Sequence, residues 1–436
     1  MLERCAVLDW AASGAMALTG LPGGPPVASP APALAMLGAV TEQLARATRE
    51  TGRQVRADPA ELITGRAALA GFTRQGRVSA GGASFLLRSA DGWCAVTLSR
   101  PDDLAAVPAI LGVLGLDGAG LAAGARSALA AAALARPARD VAAAAQLLGV
   151  PAAALPASVP PASAGWPPWR ATRIAPPSAG ARLAGAVVAD LSSMWAGPLC
   201  ARLLGLAGAD VIKVESPDRP DGARSGNREF FDWLHAGHRS LAADFRAAEG
   251  RAALKALLGV ADVVIEASRP RALAALGLAP DMIPHRDGQV WLSITGYGRA
   301  APERVAFGDD AAVAGGLVGW TSPPAPGPVF CADAIADPLT GACGALAVAR
   351  SLAAGGGELI DLSMRDVAAA FAAAPPVDHG PHEVRHDGRV TCPRSRRGQA
   401  VLPPRRPAPP AAAHAAQIGA DTGAVLAWLA GRHARC

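Results

Sequence analysis

Lysine is nearly missing from this 436-residue chain: Lys213 and Lys255 are its two lysines, and arginine carries the remaining positive charge. Tyr297 is the single tyrosine, and aromatic residues make up 4% of the chain, which leaves no stacking platform for nucleobases. The net charge of +5 would suit a polyanion, but the arginines are scattered rather than gathered into a stripe, so no nucleic-acid partner is expected. This usage reads as the bias of a GC-rich bacterial genome. No two of the seven cysteines (Cys5, Cys94, Cys200, Cys331, Cys343, Cys392, Cys436) are spaced as C-x-x-C, which argues against a disulfide framework and against a zinc ribbon. No basic head followed by an apolar run opens the chain, so no signal peptide is read. The most apolar stretch, residues 118–148, is interrupted by Arg126, Arg136, Arg139 and Asp140, and reads as Ala-rich helix rather than a membrane span. A reduced, cytoplasmic protein with no membrane partner is the expectation. Neither G-x-G-x-x-G nor G-x-x-x-x-G-K follows the first predicted strand, so the usual dinucleotide and P-loop signatures are absent.

What is present is a soluble globular composition, 51% hydrophobic and 18% charged, in a chain long enough for two or three domains. Two Pro-rich stretches, residues 150–177 and 403–410, punctuate it. Between them strands and helices alternate. AVVADLS (186–192) is a short strand, AGPLCARLLGLAG (196–208) a helix ending at glycine, and ADVIKVES (209–216) a second strand. AEGRAALKALLGVA, DVVIEAS and VWLSITG continue the alternation. The pattern predicts parallel βαβ units in a Rossmann-like sheet with helices on both faces, plus a smaller α/β domain. Ligands in such sheets bind beyond the carboxyl ends of strands, which puts residues 192–198, 216–224 and 268–271 at the mouth. Met194, Ala196 and Ser216 lie in those loops. Residues 311–372 and 11–70 also share an order of Gly/Pro punctuation, long helix, short strand and helix, which reads as an internal repeat.

Asp337, in CADAIADPLTGACGALAVARSL, precedes a proline at the head of an Ala/Leu-rich run and predicts a helix N-cap. The same position keeps a carboxylate ionised and fixed in direction, as a nucleophile must be. Asp309 and Asp310 precede a Gly-rich turn, and one of them is expected to cap the next helix. His379, His382 and His386 form an H-x2-H-x3-H run, but the run holds no cysteine, lies in a Gly/Pro-broken stretch and lacks a clear fourth ligand, so no metal is expected there. Arg246, Arg269 and Arg271 follow predicted strands, where arginines meet phosphates well.

Residues 187–224, VVADLSSMWAGPLCARLLGLAGADVIKVESPDRPDGAR, resemble the opening of the family III (CaiB/BaiF) CoA transferases. GHRSLAADF, ADVVIEASRPRALAALGL, LSITGYG and GGGELIDLSMRDV continue the likeness in order. The resemblance implies an interlocked homodimer with a Rossmann-like large domain and a smaller one, a catalytic aspartate at Asp337, and a CoA-contacting basic residue at Arg246. Residues 11–70 resemble the aspartate-bearing segment, yet hold no Asp between Asp9 and Asp58. Departures from the family pattern include Trp195 in place of a glutamine, and Ala267 and Ser268 in place of an asparagine and an aromatic. Asp309 stands where the racemase branch has its histidine, which argues against a racemase.

The expected organisation is therefore 1–78, a degenerate copy of the aspartate-bearing segment; 79–160, a small α/β domain; 161–180, a Pro-rich linker; 181–375, the Rossmann-like CoA-binding catalytic domain; and 376–436, a Pro-rich return with a short helix. The family III fold would appear with its segment order rearranged. The resemblance implies transfer of CoA from an acyl-CoA thioester to a free carboxylic acid through an aspartyl anhydride and thioester. Asp337 would be catalytic, with CoA held by Met194, Ala196, Ser216, Arg246, Arg269 and Arg271, and with no metal. Alternatives are an α-methylacyl-CoA racemase or a catalytically degenerate CoA-binding subunit. A homodimer, or a fused pseudo-dimer within one chain, is the expected assembly.

Overall fold

The computed structural model describes residues 5–29, 31–116, 124–161, 165–375, 378–385, 388–411 and 414–433. It begins with α1 (Ala6–Ser13), α2 (Ala33–Thr51) and α3 (Pro59–Ala70). Helix α2 buries Leu37, Val40, Leu44, Ala47, Thr48 and Thr51, the i, i+3, i+4, i+7 stripe of a core-facing helix. Helix α3 starts where Asp58 accepts from the Ala60 N–H at 2.9 Å and Pro59 occupies the first turn.

A small α/β unit follows. Strands β1 (Ser84–Arg88) and β2 (Trp93–Thr97) form an antiparallel hairpin, extended after α4 (Pro101–Ala105), α5 (Val107–Val113), α6 (Ala125–Leu134) and α7 (Ala138–Leu147) by β3 (Ala152–Ala154). It has its own core of Leu87, Val96, Ile110, Leu129 and Val141.

The remainder builds the large sheet. In chain order come β4 (Arg170–Arg173), β5 (Val187–Asp190), α8 (Ala196–Leu206), β6 (Asp210–Glu215), α9 (Arg228–His235), β7 (Arg239–Ala242), α10 (Ala248–Val260), β8 (Val263–Glu266), α11 (Pro270–Ala275) and β9 (Val290–Thr295). Then come α12 (Gly308–Ala314), the hairpin β10 (Gly319–Thr321) and β11 (Gly327–Val329), α13 (Ala336–Ala353), β12 (Glu358–Ser363) and α14 (Met364–Ala372). The spatial order is β4-β12-β9-β8-β5-β6-β7, with every pairing parallel except β4 against β12. Counted along the chain, the six parallel strands take the 3-2-1-4-5-6 order of a Rossmann sheet, whose strand order reverses between β5 and β8. Helices cover both faces: α8, α13 and α2 share one core with Val188, Ile265 and Leu292, while α10 packs Leu254, Leu257 and Leu258 on the other.

Two departures concern the Pro-rich stretches. The expected linker 161–180 contains β4, an edge strand tied to β12. The expected C-terminal return holds a three-stranded antiparallel sheet, β13 (Glu383–Val384), β14 (Arg389–Thr391) and β15 (Gly398–Ala400), before α15 (Thr422–His433). Strands of two or three residues are too short to show periodicity, so pairing rather than pattern defines them.

Candidate functional site

Asp337 lies two positions further into its helix than the N-cap place the sequence suggests. Helix α13 begins at Ala336 with Ile335 as N-cap, so the Asp337 side chain does not cap its own helix. It turns instead toward Gly308 at the start of α12, whose N–H donates to the carboxylate. A Cβ on Gly308 would stand 2.4 Å from Asp337 Oδ2 and 2.4 Å from the Ala334 carbonyl, so glycine is required by closeness of approach rather than by φ. The loop before α13 is wound through two left-handed alanines, Ala332 (φ 56°) and Ala334 (φ 41°). Their N–H groups donate to Thr19 Oγ1 at 3.0 Å and to Asp309 Oδ1 at 3.1 Å, which holds an unfavourable backbone in place.

Between these alanines sits Asp333, fully buried and gripped by the Arg66 guanidinium through bonds of 2.8 and 2.6 Å. Arg66 comes from α3, far away in sequence, and lies over the Trp195 ring at 5.0 Å. Around Asp337 stand two further buried acids. Asp309 accepts from Ser84 Oγ at 2.9 Å, and Asp310 accepts from Thr97 Oγ1 at 3.1 Å and from the Phe307 N–H at 2.9 Å, completing the cap of α12. Both hydroxyls belong to the small domain's hairpin, which therefore braces the site.

The sequence alone suggested an ionised Asp337. Burial pushes its carboxyl up to about 7, with Arg66 pulling the other way and the charges of Asp309 and Asp333 adding to the rise. Burial likewise lifts Asp309 to about 6, helped by Asp333, and Asp310 to about 8. The helix N-terminus is outweighed by desolvation and by like charge.

The switch point of the sheet lies beside this cluster. Gly341, one turn along α13 from Asp337, meets the head of α8 so closely that a Cβ would stand 2.7 Å from the Ala196 carbonyl. Ala196 is the first residue of α8 and is buried. Met194 adopts φ 74°, is 38% exposed, and donates its N–H to Asp221 Oδ1 at 3.0 Å. Beneath this loop the buried Lys213 pairs with Asp221 at 2.9 Å and donates to the Ser192 carbonyl at 2.8 Å.

The expected CoA-contacting arginines separate into two places. Arg269 and Arg271 line a cleft of about 510 Å³ between the large and small domains, together with Arg100, Gln146, Gly149 and Glu303. Arg271 pairs with Glu303 at 2.9 Å. Arg269 has no carboxylate partner among the described residues, and its basicity is lowered by burial and then by the neighbouring Arg271 and Arg100. Arg246 stands apart from that cleft, largely exposed and paired with Asp218 and Asp244. Ser216, at the end of β6, bridges to Arg219. Arg66, Asp333, Gly308 and Arg100 carry no local signal that singles them out: an arginine on an exposed-looking helix turn and an aspartate among alanines become notable only as partners.

The profile of CoA-transferase family III matches residues 183–403, half of the chain. A succinate–glutarate CoA-transferase of Agrobacterium fabrum is 33% identical over 211 residues, covering 44% of this chain and 53% of that protein. A formyl-CoA:oxalate CoA-transferase of Escherichia coli is 28% identical over 202 residues, covering 42% and 48%. The crystal structure of a CAIB/BAIF family protein from Brucella suis is 31% identical, with a TM-score of 0.40, covering 45% of this chain and 56% of that one. The chain thus spans about half the length of the curated relatives it matches. With the matched segment running from the edge of β5 through the Asp337 helix to the C-terminal ribbon, this chain belongs to CoA-transferase family III.

Proposed function

We propose that the chain transfers CoA from an acyl-CoA thioester to a free carboxylic acid, with Asp337 as nucleophile. The observation that carries this reading is the setting of Asp337: a half-buried carboxyl at the head of α13, with a backbone donor from Gly308 and the Arg66 charge nearby. A carboxylate oxygen of Asp337 attacks the thioester carbonyl, the C–S bond breaks, and CoA leaves as thiolate with an aspartyl–acyl anhydride remaining. The thiolate then attacks the aspartyl carbonyl, releasing the donor acid and leaving an aspartyl-CoA thioester. The acceptor carboxylate attacks that thioester and expels the thiolate again. Attack of the thiolate on the acceptor's acyl carbon gives the new acyl-CoA and restores Asp337. The Ala196 and Gly197 N–H groups at the head of α8, which packs against Gly341 one turn along α13 from Asp337, are the proposed donors to the oxyanion.

The nucleotide end of CoA is proposed to lie along the mouth of the sheet. Arg269, crowded by Arg100 and Arg271, is a cation cluster suited to phosphate. Arg246 with Ser216, and Met194 with Ala196, are the proposed contacts nearer the β6–β7 side. Helices α1, α2 and α3 repeat the order of α12, α13 and α14, and α2 packs against α13. We read this N-terminal part as a degenerate copy that supplies in one chain what a second subunit would otherwise bring, a pseudo-dimer.

A second reading has one observation in its favour: Asp309 and Asp337 are two raised carboxyls, as an α-proton exchange between opposing acid and base would need. Both Asp309 oxygens are, however, already taken by Ser84 and the Ala334 N–H. The test is intact-protein mass after incubation with succinyl-, glutaryl-, formyl- and oxalyl-CoA, with hydroxylamine trapping. An adduct present in the wild type and missing in Asp337→Ala supports transfer. Exchange of the α-proton without an adduct would establish the racemase reading, and CoA binding with neither would leave a binding subunit.

A further inference from the structure

The histidine run that the sequence left without partners is completed by the fold. Strands β13 to β15 form a small ribbon that lies on α1: the Leu402 N–H donates to the Ala11 carbonyl at 3.0 Å. At the edge of this contact four side chains meet. Cys5 Sγ is 3.0 Å from His382 Nε2, and His379 Nδ1 is 3.4 Å from Cys392 Sγ. The ligating atoms of Cys5, His379 and Cys392 all lie within 4.8 Å of one another, and all three residues are buried. The His379 and His382 rings stack at 6.5 Å, so the second imidazole flanks the group. His386 lies outside the described residues.

We propose that Cys5, Cys392, His379 and His382 form a structural zinc site that fastens the N-terminal segment to the C-terminal ribbon. Two thiolates and two imidazoles are the donor set of closed, tetrahedral zinc centres. With Zn–S of about 2.3 Å and Zn–N of about 2.0–2.1 Å, the S···N edge of such a tetrahedron is about 3.6 Å. The observed 3.4 Å matches that edge and the observed 3.0 Å opens to it by a small side-chain shift. His379 is only 6% exposed, and among the described residues its Nδ1 meets only the Cys392 sulfur. The absence of C-x-x-C excluded zinc only as a local motif. Here the ligands come from opposite ends of the chain, 387 positions apart between Cys5 and Cys392.

The consequence for the protein is mechanical. The segment that the metal would fasten is the one that delivers Arg66 to Asp333. The experiment is elemental analysis of the full chain purified in reductant without chelator, together with a cobalt titration of the stripped protein. About one zinc per chain, a thiolate-to-cobalt charge-transfer band with strong tetrahedral visible bands, and loss of both in Cys5→Ser/Cys392→Ser are the expected results. Zinc retained by Asp337→Ala would separate this site from the catalytic proposal. Wild-type protein that holds no stoichiometric zinc and gives no thiolate–cobalt band overturns the proposal, and this measurement does not depend on whether the variants fold. A Cys5–Cys392 disulfide in protein alkylated on lysis, or undiminished zinc in the double variant, overturns it equally.

Discussion

Asp337 is protonated in part near neutrality because burial and two neighbouring acids outweigh Arg66. As the proposed nucleophile it must be ionised, so kcat/KM should fall about tenfold per pH unit below about 7 and level off above it, as a pH–rate profile would show. A profile flat from pH 5 to 8 would contradict this. The same shift acts on stability. A carboxyl whose folded pKa is raised from 3.8 to about 7 favours the fold below about pH 4, and that contribution is lost as the pH climbs through 7. Asp337→Asn removes the penalty and should melt a few degrees above wild type at pH 8, with the difference vanishing near pH 4. Thermal scans at both pH values decide it. Arg66→Ala leaves Asp333 charged and buried without its partner, and should cost about 3–5 kcal/mol in chemical denaturation. Arg66→Lys cannot reproduce the two parallel bonds and should fall between.

At the scale of elements, the site depends on two helices whose starts are packed closer than side chains allow. Gly341 lets α13 run against the head of α8, and Gly308 lets α12 begin against Asp337. A methyl at Gly341 would meet the Ala196 carbonyl at 2.7 Å, a backbone atom that cannot rotate away. Gly341→Ala should therefore destabilise by about 1–3 kcal/mol and shift the α8 start. Gly308→Ala would press on the Asp337 carboxylate itself, and should abolish trapping by hydroxylamine while leaving far-ultraviolet circular dichroism close to wild type. The alternation of strands and helices from β5 to β9 is legible in the sequence because each element carries its own periodicity and glycine stop. Strand β4 is not: Arg170–Arg173 is exposed along its length, and only its pairing with β12 makes it a strand.

At the scale of the molecule, three separated stretches converge on Asp337: α3 through Arg66, the small domain through Ser84 and Thr97, and the Rossmann-like domain through α12 and α13. Helix α2 covers α13, burying Leu37, Val40 and Leu44 in the same core as Leu339, Leu346 and Val348. A chain lacking residues 1–78 would expose that face, and should elute as aggregate in gel filtration instead of at the wild-type volume. Among the described residues no helix is long and apolar enough to cross a membrane.

The Rossmann-like order was determined by the sequence, because it rests on local signals: periodic burial, glycine stops and ordered blocks of neighbouring residues; the proposal for Asp337 starts from the same ordered blocks. The sequence also held the histidines and cysteines of the ribbon, but without their grouping. Only the tertiary structure decided that Arg66 meets Asp333, that Asp337 sits at about 7 rather than in the ordinary carboxylate range, and that Cys5 stands beside His382. These are long-range contacts and desolvation effects. They depend on which surfaces the fold presses together, and no spacing along the chain encodes them on its own.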